Sequence, residues 1–134
     1  MNKILCLLSN NTSTGLSLSD FSITQGKVLK TTSKVSPCSF VSLFECRSNT
    51  LNSCGPIGGI FSYEINYDSA GEKRDKIILN IPFIAESREG RLFFKTSPDI
   101  VGSKTLYCES VFTSVENKYS EILLHLTDQA NDYD

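Results

Sequence analysis

The order of apolar and polar residues sets the first expectations. Ile4-Leu5-Cys6-Leu7-Leu8 is a short, continuously apolar run and predicts a strand buried on both faces or nearly so. Residues 10–15 read as a turn, because Asn, Ser, Thr and Gly hydrogen-bond their own backbone or accept left-handed geometry. Leu16 to Thr24 then alternates with period two but slips by one residue at Ser19-Asp20, which predicts a bulge or bend there. Gln25-Gly26-Lys27 is a tight turn, and Val28-Leu29 resumes an extended segment. Residues 30–37 read as a polar loop, Phe40-Val41-Ser42-Leu43-Phe44 as a strand, and residues 46–55 as a loop again.

Gly58-Gly59 opens the most regular segment of the chain. Phe61, Tyr63, Ile65 and Tyr67 share one face, while Ser62, Glu64 and Asn66 share the other. The two tyrosines are expected to pack inward. A charged hairpin loop over 68–75 returns into Lys76-Ile77-Ile78-Leu79-Asn80-Ile81, and Pro82, which has no N–H to donate, is expected to end that strand. A polar turn at 86–90 precedes Leu92-Phe93-Phe94. A loop over 96–104, a strand over 106–113, a turn over 114–118 and a last apolar strand over 121–126 complete the reading. Seven to nine short strands about ten residues apart predict an all-β chain, a single antiparallel β-sandwich or barrel over 1–127 with an acidic tail over 128–134.

Composition supports this reading. Serine and threonine number 29 against three alanines, which disfavours a helical bundle. The length of 134 residues holds one domain with one core. A net charge of −2 leaves no cationic surplus for coating a nucleic acid. The apolar N-terminal run is too short for a signal-peptide core of about 7–15 residues, so synthesis in the cytoplasm and later release are expected. No apolar run approaches the roughly 20 residues of a membrane-spanning helix.

Candidate chemistry is sparse. Cys38, Cys46 and Cys54 sit eight apart, which matches no zinc-ligand spacing, and no metal or cofactor is expected. Reduced thiols are the simplest reading, with a Cys46–Cys54 bridge as the alternative. A pair of Cys54 and the lone His125 has nothing to order it for nucleophilic catalysis, so no enzyme is expected. Gly55-Pro56-Ile57-Gly58-Gly59 lacks the Gly-Lys-Ser/Thr ending of a phosphate loop. Lys27, Lys30 and Lys34 form the one same-sign stripe. It serves solubility or makes a small basic edge for anionic headgroups.

Several segments, in order, resemble the aegerolysin family of fungal and bacterial lipid-binding proteins. They are Leu7-Leu8-Ser9-Asn10, Thr14-Gly15-Leu16-Ser17-Leu18, Gln25-Gly26-Lys27-Val28, the stretch from Gly55 through Gly58-Gly59 to Ile65, and Asn80-Ile81-Pro82-Phe83. The resemblance covers about residues 3 to 90. It implies a sandwich similar to that of the actinoporins and recognition of sphingolipids with sterol, or of their ethanolamine counterparts. It also implies a role as the targeting component of a two-component pore-forming, cytolytic or insecticidal toxin, with a second toxin protein as partner and with homo-oligomers within reach.

The chain departs from the family at its anchors. The sequence contains no tryptophan. Lys3, Gln25 and Phe83 stand where fungal members carry indoles, and Cys54 stands where they carry an acidic residue. Of these, Phe83 alone can still anchor at an interface, so sphingomyelin–cholesterol specificity does not carry over. The bacterial-type reading, with more weight on the partner, is preferred. The ligand-facing set expected from the resemblance is Gln25, Lys27, Cys54 and Phe83. The rival reading is a soluble β-sandwich module that binds carbohydrate or protein.

Overall fold

The computed structural model describes residues 1–49, 54–66 and 76–128. Eleven strands form among them: β1 (Lys3–Asn11), β2 (Gly15–Gln25), β3 (Lys27–Thr31), β4 (Lys34–Val35), β5 (Ser39–Arg47), β6 (Ile57–Asn66), β7 (Ile77–Arg88), β8 (Arg91–Thr96), β9 (Asp99–Val101), β10 (Leu106–Val115) and β11 (Tyr119–Asp128). One sheet runs β10-β11-β1-β5-β3, and the other runs β4-β2-β6-β7-β8 with β9 also paired to β7. The two sheets pack face to face as a β-sandwich, the architecture expected from the spacing of the apolar runs.

One pairing differs from the all-antiparallel expectation, since β1 lies parallel to β11. The two are joined through the whole intervening chain, so no short loop forces them into a hairpin. β1 also alternates rather than being buried throughout. Ile4, Cys6 and Leu8 face the core, while Leu5 and Leu7 are half-buried on the outer face.

Alternation gives each sheet one inner face, and the aromatic rings on those faces meet in the core. Phe44 of β5 stacks on Phe61 of β6 at 4.0 Å between centroids. Phe21 extends the stack outward, 5.2 Å from Phe61. Phe83 lies 5.0 Å from Phe44 and 6.3 Å from Phe94. Tyr63 is fully buried, and its hydroxyl donates to the Leu43 carbonyl oxygen. Tyr67 and all of the charged hairpin loop over 68–75 lie outside the described residues, as does the tail beyond Asp128.

The bulge expected at Ser19-Asp20 is present, as a register shift between Leu18 and Asp20 against β6. Three loop expectations are corrected, the first being the loop over 96–104, which holds β9 paired to β7. Residues 30–37 hold the end of β3 and all of β4, and β5 runs on to Arg47, which puts Cys46 in the core rather than on a loop. Cys6, Cys46 and Cys108 are buried, Cys38 and Cys54 are exposed, and all five sulfurs are unbridged.

Pro82 does not end its strand; β7 continues to Arg88. The Pro82 carbonyl accepts a hydrogen bond from the Thr96 hydroxyl on β8. In an antiparallel strand the N–H of a residue points the same way as its carbonyl, so the absent donor also faces that side. There β9 pairs only with residues 78–80 and β8 only from Phe83 onward. The missing N–H falls in the gap between the two partner strands, where no ladder bond is lost.

Candidate functional site

The outer face of the six-stranded sheet carries an apolar stripe across three strands. The alternation that turns Phe61 and Tyr63 inward turns Ile60 outward. The register sets Ile60 opposite Pro82, Gly58 opposite Ile84, and Ile84 opposite Lys95. Ile60 is 36% exposed, Ile84 42% and Phe93 36%. These values are high for large apolar side chains in mid-strand, and contiguous exposed patches of this kind mark interaction surfaces.

The stripe forms the floor of an open groove of about 420 Å³, lined by Ser22, Thr24, Gly59, Ile60, Pro82, Phe83, Ile84, Lys95, Thr96 and Ser97. That volume lies within the range of small-ligand sites. Four of the lining side chains are hydroxyls, and Lys95 is the one ionisable group among them. The site therefore favours a ligand that is largely apolar with a neutral or anionic polar end. A smaller basin lined by Ile84, Glu86, Arg88, Phe93 and Lys95 adjoins it. There the Arg88 guanidinium carbon sits 4.8 Å from the centre of the Phe93 ring, a cation–π contact.

The glycine pair borders the groove, and Gly59 lines it. Gly58 sits opposite Ile84, where a Cβ would lie 3.4 Å from the Thr24 hydroxyl oxygen. A Cβ on Gly59 would overlap the Ser22 carbonyl oxygen, so β2 approaches this closely only beside glycine. The sequence reading singled out this stretch. Apart from Phe83, the groove side chains themselves were missed, although carrying the alternation back by one residue from Phe61 would have put Ile60 outside.

The four expected ligand-facing residues do not form one cluster. Phe83 is 6% exposed with its ring in the aromatic core, and it is among the residues that line the groove. Its alternation is shared with Leu79, Ile81 and Ala85, all buried, so the ring points into the sandwich. Gln25 ends β2 opposite Gly58, with its side-chain oxygen 3.8 Å from where a Cβ on that glycine would lie. It is exposed and follows Thr24, which lines the groove.

Lys27 begins β3, across the Gly26 turn and in the other sheet, and is exposed. Cys54 is exposed at the same end of the sandwich, in a shallow site with Pro56, Glu86 and Ser87. The adjoining Gly55 carbonyl is held by the Asn2 side-chain amide, which also donates to Ser87.

The lysine stripe is not one feature in three dimensions. Lys30 lies opposite Glu45, and Lys34 belongs to β4 of the other sheet. His125 sits on the outer face of the five-stranded sheet within 2.6 Å of the Asn11 amide nitrogen, on the opposite sheet from the groove.

The fold itself has relatives among solved structures. A crystal structure described as that of the lipid binding protein Nakanori is similar over 94% of this chain and 71% of that one, with a TM-score of 0.60 and 10% sequence identity. At that identity the likeness is one of fold. No family model matches the sequence, and no curated protein matches it.

Proposed function

We propose that the chain is a non-enzymatic membrane-lipid-binding protein that seats part of a lipid in the outer-face groove. We further propose that it acts as the aegerolysin-like targeting component of a two-component pore-forming toxin. The observation that carries the lipid reading is the groove, an apolar floor of Ile60, Pro82 and Ile84 under a rim of hydroxyls and one lysine. Hydrocarbon removed from water on that floor contributes about 25 cal/mol per Å² buried, and the hydroxyls meet the polar head. The fold it shares with a protein described as lipid binding supports the same reading. Gln25, next to Thr24 of the groove lining, and Phe83 beneath the floor belong to the ligand-facing set, whereas Cys54 lies in a separate shallow site and Lys27 on the other sheet, facing away from the groove.

The targeting role rests on what a pore requires. A bilayer is crossed only by structures that satisfy their own backbone hydrogen bonds, as helices or closed barrels. Among the described residues no helix is long and apolar enough to cross a membrane, and the strands are committed to the two sheets. A partner protein then supplies the spanning segments.

The test combines sedimentation and dye leakage with vesicles of phosphatidylcholine alone, with sphingomyelin and sterol, and with ethanolamine sphingolipid. The chain is expected to sediment with at least one composition, to release no dye alone, and to release it when a second toxin protein is added. Absence of sedimentation with every composition, together with a signal on a glycan array, would establish the carbohydrate-binding alternative instead.

A further inference from the structure

The outer face of the five-stranded sheet, on the side opposite the groove, brings three cations into line. Lys27 on β3 lies opposite Arg47 on β5, and Arg47 lies opposite Lys3 on β1. Neighbouring strands are about 4.8 Å apart, so the row spans about 10 Å. The inward row behind it, Val28, Cys46 and Ile4, packs in the core, which fixes the outward direction of all three cations.

Gly26 sets the register. A Cβ there would press on the Arg47 carbonyl oxygen, and its φ of +96° is left-handed. The turn closes against β5 in this way only with glycine, and that closure puts Lys27 beside Arg47.

Like charges directly opposite one another destabilise a sheet, and this row contains two such pairs in succession. One ion pair offsets them in part, Lys3 to Glu45 at 3.0 Å. Arg47 Nη1 donates to the Ser48 carbonyl oxygen at 2.9 Å, which holds the guanidinium at the strand end. The chain as a whole carries a net charge of −2, so the row is a local reversal of sign.

We infer that the Lys27–Arg47–Lys3 row binds a phosphate group. A planar guanidinium flanked by two ammonium point charges matches an anion with several oxygens. A bound phosphate would also relieve the repulsion that the register imposes. The phosphate belongs either to a lipid headgroup or to a free phosphate compound. The row and the groove face opposite ways, so this inference does not depend on the groove.

The experiment uses the full chain and its Lys27→Gln and Lys30→Gln variants. Lys30 is the control, because it lies opposite Glu45 rather than another cation. Thermal unfolding is measured with inorganic phosphate and with chloride at equal ionic strength. Vesicle binding is measured on phosphatidylcholine with and without phosphatidic acid. Phosphate is expected to raise the wild-type melting temperature. Lys27→Gln is expected to melt higher than wild type without phosphate and to lose the phosphate effect.

If the source is lipid, adding phosphatidic acid strengthens wild-type binding, and Lys27→Gln loses about fivefold of that gain while Lys30→Gln keeps it. A phosphate effect on melting with no gain on phosphatidic acid assigns the row to a free phosphate compound. The inference is overturned if neither phosphate nor phosphatidic acid has an effect, if the two variants weaken equally, or if Lys27→Gln melts lower than wild type. Binding to phosphatidylcholine alone reports on the groove, so failure of one site is read separately from failure of the other.

Discussion

Replacing Phe83 by alanine separates a core ring from a membrane anchor. The ring is 6% exposed, with Phe44, Phe61 and Phe94 at 5.0, 5.9 and 6.3 Å between centroids. Truncating a buried phenylalanine to alanine costs about 3–5 kcal/mol. Three aromatic neighbours, each contributing about 0.5–1.5 kcal/mol beyond area burial, keep the value from the bottom of that range. We expect about 4 kcal/mol. With an unfolding entropy of about 2.1 cal/mol/K per residue, 134 residues give about 0.28 kcal/mol/K, and the melting temperature falls by about 14 °C.

A domain is stable by only about 5–15 kcal/mol, so the measurement is urea unfolding in the cold, with Phe83→Leu as a companion that keeps most of the volume. The leucine variant is expected to lose less than about 1.5 kcal/mol and to bind vesicles as wild type does. A loss below about 1 kcal/mol for Phe83→Ala, accompanied by loss of vesicle binding, would refute the core placement and restore the ring as an anchor.

Two further predictions follow from the same packing. Gly59→Ala pushes a methyl group into the Ser22 carbonyl and forces β2 away from β6; we expect a loss of about 2–3 kcal/mol in urea unfolding together with weakened vesicle binding. Alkaline pH should also destabilise the fold. Burial, and then Glu45, pushes the Cys46 thiol up to about 12, and burial, and then Glu109, does the same to Cys108. Between the ordinary thiol value near 9 and 12 the unfolded chain loses protons that the folded chain keeps. The thiol contribution is therefore intact below about pH 9 and declines as pH rises toward 12, by up to about 1.4 kcal/mol per pH unit for each thiol. Urea unfolding of wild type against Cys46→Ala and Cys108→Ala from pH 8 upward measures it, and parallel pH curves would contradict it.

Much of the fold is legible in the sequence where one face of a strand is buried and the other wet. The bulge in β2 shows as a slip in alternation at Ser19-Asp20, and the inward face of β6 shows as Phe61, Tyr63 and Ile65. Features that depend on neighbours do not show. Pro82 reads as a terminator because a single strand gives no sign of the gap between β8 and β9. β5 reads as ending early because Cys46 resembles the loop residues that follow it. The parallel pairing of β1 with β11 leaves no local mark at all.

The site follows the same division. Gly58-Gly59 is visible as a motif, and Gly59 lines the groove. Ile60, Ile84 and Lys95 become one surface only when three strands are set in register. Phe83 is expected as an anchor because the resemblance sets it where fungal members carry an indole, whereas the strand continues through Pro82 and its alternation sends the ring inward. Lys27 was grouped with the lysines near it in sequence, but its neighbours in space are Arg47 and Lys3, 20 and 24 residues away along the chain.

Whether the outer-face groove takes lipid is decided by vesicle co-sedimentation of Ile84→Asp beside wild type. The Ile84 side chain is 42% exposed on the groove floor, so a carboxylate there spares the core while abolishing the apolar surface. Phe112→Ser, on the outer face of the other sheet, serves as the control for loss of an exposed apolar group. On whichever vesicle composition binds wild type, Ile84→Asp is expected to bind at least tenfold more weakly, equivalent to about 1.4 kcal/mol, and Phe112→Ser to bind as wild type does. Equal binding by wild type and Ile84→Asp would contradict it.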